Sequence, residues 1–171
     1  MALIAMTTSD TVDYVSDLDP SKVSTLADRD PSDPSKGKEL KVEIKDGATV
    51  FKLRPLDVFL MGYIYDTAST LSGKEGSSEI GIHTRVNQTN IDAVRHGLAG
   101  LLNFTDPKGG QVKFKTQKAV VNGRSYEVAH DDIMNMMGVK LIQELAGKVK
   151  AISEVSAAEE KNSDGASQPS A

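Results

Sequence analysis

Between residues 40 and 53 apolar and polar side chains alternate with a period of two; between 56 and 71 the spacing changes to three and four. Leu40-Lys41-Val42-Glu43-Ile44 puts every second side chain on one face, the pattern of a half-buried strand. Asp46-Gly47 supplies the positive φ of a tight turn, and Thr49-Val50-Phe51-Lys52-Leu53 alternates again, so the two runs are expected to close as a β-hairpin. Pro55 ends the second strand and suits the first turn of a helix, where its missing N–H has no intrahelical partner to lose. Beyond it Leu56, Phe59, Leu60, Tyr63, Ile64, Thr67 and Leu71 draw one apolar stripe along a helix of about four turns. Residues 72–78, with Gly73 and Gly76, read as a polar loop, and a polar stretch follows from 79 to 88.

A second helix is predicted from the cap Thr89-Asn90 through Ile91, Val94, Leu98, Leu101 and Leu102 to about Asn103. Gly97 and Gly100 fall inside or at the end of it, each costing about 1 kcal/mol against Ala, which points to close approach by a packed neighbour. Gln111-Val112-Lys113-Phe114-Lys115 alternates as a strand. Lys118-Ala119-Val120-Val121 is expected to pair with Ser125-Tyr126-Glu127-Val128 across Asn122-Gly123 and to extend the first hairpin's sheet. Asp131 or Asp132 caps a last long helix whose apolar positions run Ile133, Met134, Met137, Leu141, Leu145, Val149 and Ile152, with Gly138 kinking or splitting it. Ser156-Ala157-Ala158-Glu159 has the form of a capping box.

The two ends have a different texture. Residues 7–38 are rich in Ser, Asp, Pro and Lys, with Asp19-Pro20, Asp30-Pro31 and Asp33-Pro34 recurring, and they read as a flexible arm. Val12, Tyr14, Val15, Leu18, Val23 and Leu26 within it are enough to dock on a partner or on the chain's own domain. From Asp164 onward the composition predicts disorder. The fold class is therefore α+β: a small antiparallel sheet built from hairpins, packed against about three helices. The organisation is an N-terminal arm (1–38), a single domain (39–155) and a short capped turn with a tail (156–171).

Composition narrows the function. A chain of 171 residues supports one core. Its 24 acidic against 20 basic residues give a net charge of −4 and a pI near 5.4, without the basic footprint of a nucleic-acid binder. There is no Cys, which excludes disulfides, thiolate metal sites and cysteine nucleophiles. The opening Met1-Ala2-Leu3-Ile4-Ala5-Met6 is too short for a signal-peptide core and lacks a basic leader, so a cytosolic start is expected. No apolar run approaches the roughly 20 residues of a membrane span.

Candidate chemistry is sparse. His83, His96 and His130 lie in a polar loop, on a helix beside Arg95 and at a helix start, and no metal is expected. Asp106-Pro107-Lys108-Gly109-Gly110 follows a helix and precedes a strand, the reverse of a phosphate cradle, and reads as a hairpin-type turn. The neighbouring pairs Asp131-Asp132 and Glu159-Glu160 point about 100° apart on a helix and cannot share a proton. No Gly-x-Ser-x-Gly elbow is present. Met134 and Met137 fit the apolar stripe as core filling, while Met136 falls off it. The residues thus predict a non-enzymatic protein without cofactor that works through protein contacts.

Three stretches resemble a family of small late proteins of tailed bacteriophages described as tail assembly chaperones. They are Phe51-Lys52-Leu53-Arg54-Pro55-Leu56; residues 94–104, with Gly97-Leu98-Ala99-Gly100-Leu101-Leu102-Asn103-Phe104 followed by Asp106, Gly109, Val112 and Phe114; and Glu144-Leu145-Ala146, Ile152 and Ser153 with Glu159-Glu160-Lys161-Asn162-Ser163. The similarity runs from about Val50 to Ser163 and departs at Leu101, where the family usually has Trp, and over 116–129. It implies a protein that shields a tail component, the tape measure or a tube subunit, in the host cell cytoplasm, with a homo-oligomer allowed and no nucleic acid or membrane partner. An exposed, adaptable apolar surface would do this, and Met61, Tyr65, Leu101, Leu102 and Met136 are its candidate residues. Competing classes are a virion structural subunit (head-tail connector, tail terminator or capsid-associated protein) and an inhibitor of a host enzyme.

Overall fold

The computed structural model describes residues 9–29, 32, 33, 35, 37–73, 80–84 and 86–154. Its centre is a three-stranded antiparallel sheet in the order β1-β4-β7, formed by β1 (Val12–Tyr14), β4 (Val50–Leu53) and β7 (Leu98–Leu102). Phe51 and Leu53 of β4 are fully buried, and Phe51 stands opposite Tyr14 on one side and Leu101 on the other. Helices α1 (Val58–Thr67), α2 (Val86–Gly97), α3 (Asp131–Asn135) and α4 (Val139–Glu154) complete the core. They contribute Leu60 and Ile64, Ala93 and Val94, Ile133 and Met134, and Leu145, Ala146 and Val149 respectively. Three two-stranded ribbons surround this centre: β2 (Lys22–Asp28) with β3 (Lys38–Ile44), β5 (Ser69–Gly73) with β6 (Ile80–Thr84), and β8 (Thr116–Val121) with β9 (Arg124–Ala129). The mixed α+β class is as expected, and no described helix is long and apolar enough to cross a membrane.

The stripe that predicted α1 is only partly its buried face. Leu56, Leu60 and Ile64 are in the core, whereas Phe59 is exposed with the Arg124 guanidinium 3.5 Å above its ring centre. Asp57 caps the helix by accepting from Phe59 N–H and Leu60 N–H at 2.9 and 2.8 Å. The helix stops at Thr67, whose hydroxyl donates back to Tyr63 O at 2.8 Å, and Leu71 belongs to β5. The polar stretch after 79 holds β6 and the start of α2.

Several expectations are corrected. The runs 40–44 and 49–53 do not pair with each other. The turn exists, with Gly47 at φ +85° and Ala48 N–H bonded to Lys45 O, but β3 pairs with β2 while β4 pairs with β1 and β7. Alternation specifies strands, not partners, and Phe51 and Leu53 are buried best in a strand flanked on both sides. The arm 1–38 is not simply a solvated leader: β1 joins the core sheet and β2 forms a ribbon. The second helix ends at Gly97 instead of Asn103, and Leu98–Leu102 is β7, because β4 offers a ladder that a short apolar run accepts as readily as a helix. Residues 111–115 form no strand; a single bridge, Thr105 with Gln111, closes the Asp106 turn. The ribbon β8–β9 forms across Asn122-Gly123, at φ +47° and +77°, yet makes its own sheet instead of extending the first.

Other features agree. An ideal Cβ on Gly97 would lie 2.5 Å from Val149 Cγ1, so the missing side chain is what lets α4 press against the end of α2. The last helical segment is split into α3 and α4 around Gly138. The caps differ from expectation: His130, whose Nδ1 accepts from Asp132 N–H, caps α3 in place of either aspartate, and α2 starts at Val86, which puts Thr89 and Asn90 inside it. The capping box at 156–159 and the tail lie outside the described residues.

Candidate interaction surface

The surface that stands out is the ribbon β2–β3. Its register pairs Leu26 with Leu40, Ser24 with Val42 and Lys22 with Ile44, so these side chains share one face. That face is open: Leu26 is 70%, Leu40 63%, Val42 49% and Ile44 53% exposed. The opposite face carries Val23, Thr25 and Ala27 against Glu43, Lys41 and Glu39. Each strand packs chiefly on the other. Two strands without a third strand or a covering helix are marginal in water, and four neighbouring exposed apolar side chains mark a contact surface better than scattered ones do.

The root of the ribbon is built firmly. Asp19 accepts from Ser21 N–H through Oδ1 at 2.8 Å and from Thr49 N–H through Oδ2 at 2.7 Å, tying the entry of β2 to the entry of β4. Burial pushes its carboxyl up, but the hydrogen bonds from Ser21 and Thr49 outweigh this and hold it below the usual aspartate range. Lys22 donates to Val15 O at 3.0 Å and Asp17 Oδ1 at 2.5 Å. Before that, Glu144 of α4 gathers three donors: Tyr14 OH and Ser16 Oγ at 2.8 Å each, and Asp17 N–H at 2.6 Å. Burial first, and then the bond to Glu144, raise the Tyr14 phenol well above its ordinary value.

Backbone polarity decides which atoms the ribbon presents. Lys45 N–H donates to Ser21 O at 2.9 Å and Arg29 N–H to Gly37 O at 3.0 Å. In an antiparallel pair the bonding residues alternate, so the odd positions of β3 bond to β2. The N–H and C=O groups of Leu40, Val42 and Ile44 point away, along the outer edge of β3.

The residues singled out from the sequence do not form one patch. Leu101 is buried between β4 and the helices, a correction that follows from its place in β7 opposite Phe51. Met61 is half-buried against the core, Tyr65 donates to Glu154 Oε1 at 2.8 Å, and Leu102 lies at the end of β7. Met136, 47% exposed between α3 and α4, lines a shallow groove with Val112, Lys113 and Ile133, whereas Met134 and Met137 are buried. The ribbon was missed because Leu26 lay in an apparent arm and residues 40–44 were assigned to another hairpin. The alternation at 40–44 was the available signal.

His96 is 96% removed from solvent, being only 4% exposed. Its Nδ1–H donates to Asp92 O at 2.9 Å, which leaves Nε2 as an acceptor without a hydrogen-bond partner. Burial holds its imidazolium pKa below the ordinary value. It borders a small cleft of about 190 Å³ with Arg54, Asp57, Ser125 and Tyr126, and its ring meets Tyr126 edge-on at 5.8 Å. Arg54 spends its donors on His96 O and Glu127 O, welding β4 to α2 and β9. Nδ1 is thus bonded to its own helix, and Nε2 has no partner among the described residues. Asp106 Oδ1 accepts from Lys108 N–H and Gly110 N–H at 2.8 Å each, so the Asp106 turn uses these donors internally and offers them to no phosphate. Among the described residues no group of three or more His, Asp or Glu side chains could hold a metal ion.

Comparison with known proteins adds no relative: no protein-family model, curated protein or solved structure matches the chain.

Proposed function

We propose that this chain is a non-enzymatic binding protein of tailed-phage assembly, which covers an aggregation-prone tail component, the tape measure or a tube subunit, in the host cytoplasm until the tail is built. The observation that carries the reading is the open apolar face of Leu26, Leu40, Val42 and Ile44 on a firmly rooted ribbon. Such a face gains free energy only by burial against another polypeptide, on the order of 25 cal/mol per Å² of apolar surface removed from water. The resemblance of residues 50–163 to tail assembly chaperones is what points to a tail component as the partner.

Co-expression with the tape measure and with the tube subunit tests this. The expected result is a co-purifying complex with one of them that is lost in the variant carrying Leu26→Ser and Leu40→Ser. A complex with neither, or one indifferent to that variant, overturns the reading. A second reading, a virion structural subunit, is favoured by the same ribbon standing off the core as an assembly arm. Mass spectrometry of purified particles separates them: a chaperone is absent, a subunit is present in stoichiometric amount.

A further inference from the structure

We propose that the outer edge of β3 pairs antiparallel with β3 of a second copy of this chain, centred on Val42, to make a two-fold dimer through a four-stranded sheet. The inference concerns a different surface from the apolar face and stands without the functional reading above. β3 is seven residues long, and its outer N–H and C=O groups are those of Lys38, Leu40, Val42 and Ile44, aimed at whatever strand comes alongside.

The sequence of this edge is complementary to itself. In antiparallel pairing about Val42, Leu40 meets Ile44 of the second copy and Val42 meets Val42, so the apolar face continues across the junction. On the other face Lys41 meets Glu43 and Glu39 meets Lys45, and the two-fold axis repeats both, giving four opposite-charge pairs. Within the ribbon the cross-strand neighbours of Glu39, Lys41 and Glu43 are Ala27, Thr25 and Val23, none of them charged. Val42, Leu40 and Ile44 are also the residues whose backbone groups point outward, so the pairs that match in side chain are the ones that exchange hydrogen bonds.

Centring on Leu40 or on Ile44 keeps two opposite-charge pairs where Val42 gives four, and the two registers between them fail on charge. Centring on Lys41 sets Lys41 against Lys41 and Glu39 against Glu43; centring on Glu43 sets Glu43 against Glu43 and Lys41 against Lys45. The free edge of β2 is a poorer candidate. Self-pairing about Thr25 offers only Lys22 against Asp28, and the Lys22 ammonium is already held by Val15 O and Asp17. A dimer through β3 also doubles the apolar face, since Leu26, Leu40, Val42 and Ile44 of both copies then lie on one side of a single sheet.

Sedimentation equilibrium of the full chain across the micromolar range is the test, with circular dichroism to confirm that each variant keeps the fold. The wild-type chain is expected to be a monomer–dimer mixture. Lys41→Glu and Glu43→Lys, taken singly, each replace two attractive pairs by two repulsive ones and should weaken the dimer at least about tenfold. The double variant K41E/E43K restores opposite charges in the same register and should regain wild-type association, as should an equimolar mixture of the two single variants. A chain that stays monomeric throughout, a dimer indifferent to K41E, or a double variant as weak as the single ones would overturn the proposal.

Discussion

The contact between α2 and α4 and the ribbon β2–β3 use the same kinds of residue for opposite ends. In the first, Val94, Leu145 and Val149 are fully buried, and Gly97 gives up its side chain so that Val149 can approach. In the second, Leu26, Leu40, Val42 and Ile44 are as apolar but face outward, and what ties the ribbon to the body is its root, through Asp19 and Lys22. One region spends its apolar surface on stability; the other holds it for a partner. The difference shows that an apolar pattern identifies a face to be covered without saying by which chain.

Substitutions that separate the two regions should differ widely in effect. Leu145→Ala removes a fully buried side chain from α4 and should destabilise the protein by about 3–5 kcal/mol, read as a lower urea midpoint at unchanged slope. A loss below about 1 kcal/mol would mean that this core collapses easily and that the contrast is weaker than drawn. Glu144→Ala takes the acceptor from Tyr14, Ser16 and Asp17, partly exposed, and should cost about 1–3 kcal/mol. Its mark is faster amide exchange over residues 12–18, at the root of the ribbon, with α2 unaffected.

Between pH 7.5 and 5.5 the expected pH response comes from His96 in the core. The folded state holds His96 neutral, with its pKa below the unfolded value, so below about pH 6.5 the unfolded chain binds a proton that the folded chain resists. Stability should therefore fall as the pH is lowered from 7.5 to 5.5, and His96→Gln should flatten that slope in paired urea titrations. The smallest effect is expected on the ribbon. Leu26→Ser, on a side chain 70% exposed, should leave the stability of the monomer within about 0.5 kcal/mol while weakening capture of a partner. A large loss of stability there would show that the face is covered within the chain itself.

Much of the core was legible beforehand. Leu56, Leu60, Ile64, Val94, Ile133, Met134, Leu145, Val149 and Ile152 were placed inside by helical spacing and are buried. Gly97 was suspected of a close contact and has one. Asn122-Gly123 specified its ribbon, because two consecutive positive φ angles admit few other turns. The failures have one cause in common. Leu98–Leu102 can serve as helix or strand, and the strand wins only because β4 is there to receive it. Leu101, chosen as a surface residue, went to the core with it.

Local order, then, was written in the residues: turns at Gly47, Gly109 and Gly123 and the period of each apolar stripe depend on neighbours a few positions away. Pairing was decided by the tertiary structure, since an alternating strand satisfies its hydrogen bonds with any ladder of the right polarity and chooses among them by what its side chains bury. That choice sent β4 to β1 and β7, left β3 with β2, and so turned a run of alternating apolar residues into an open face at the surface of the molecule.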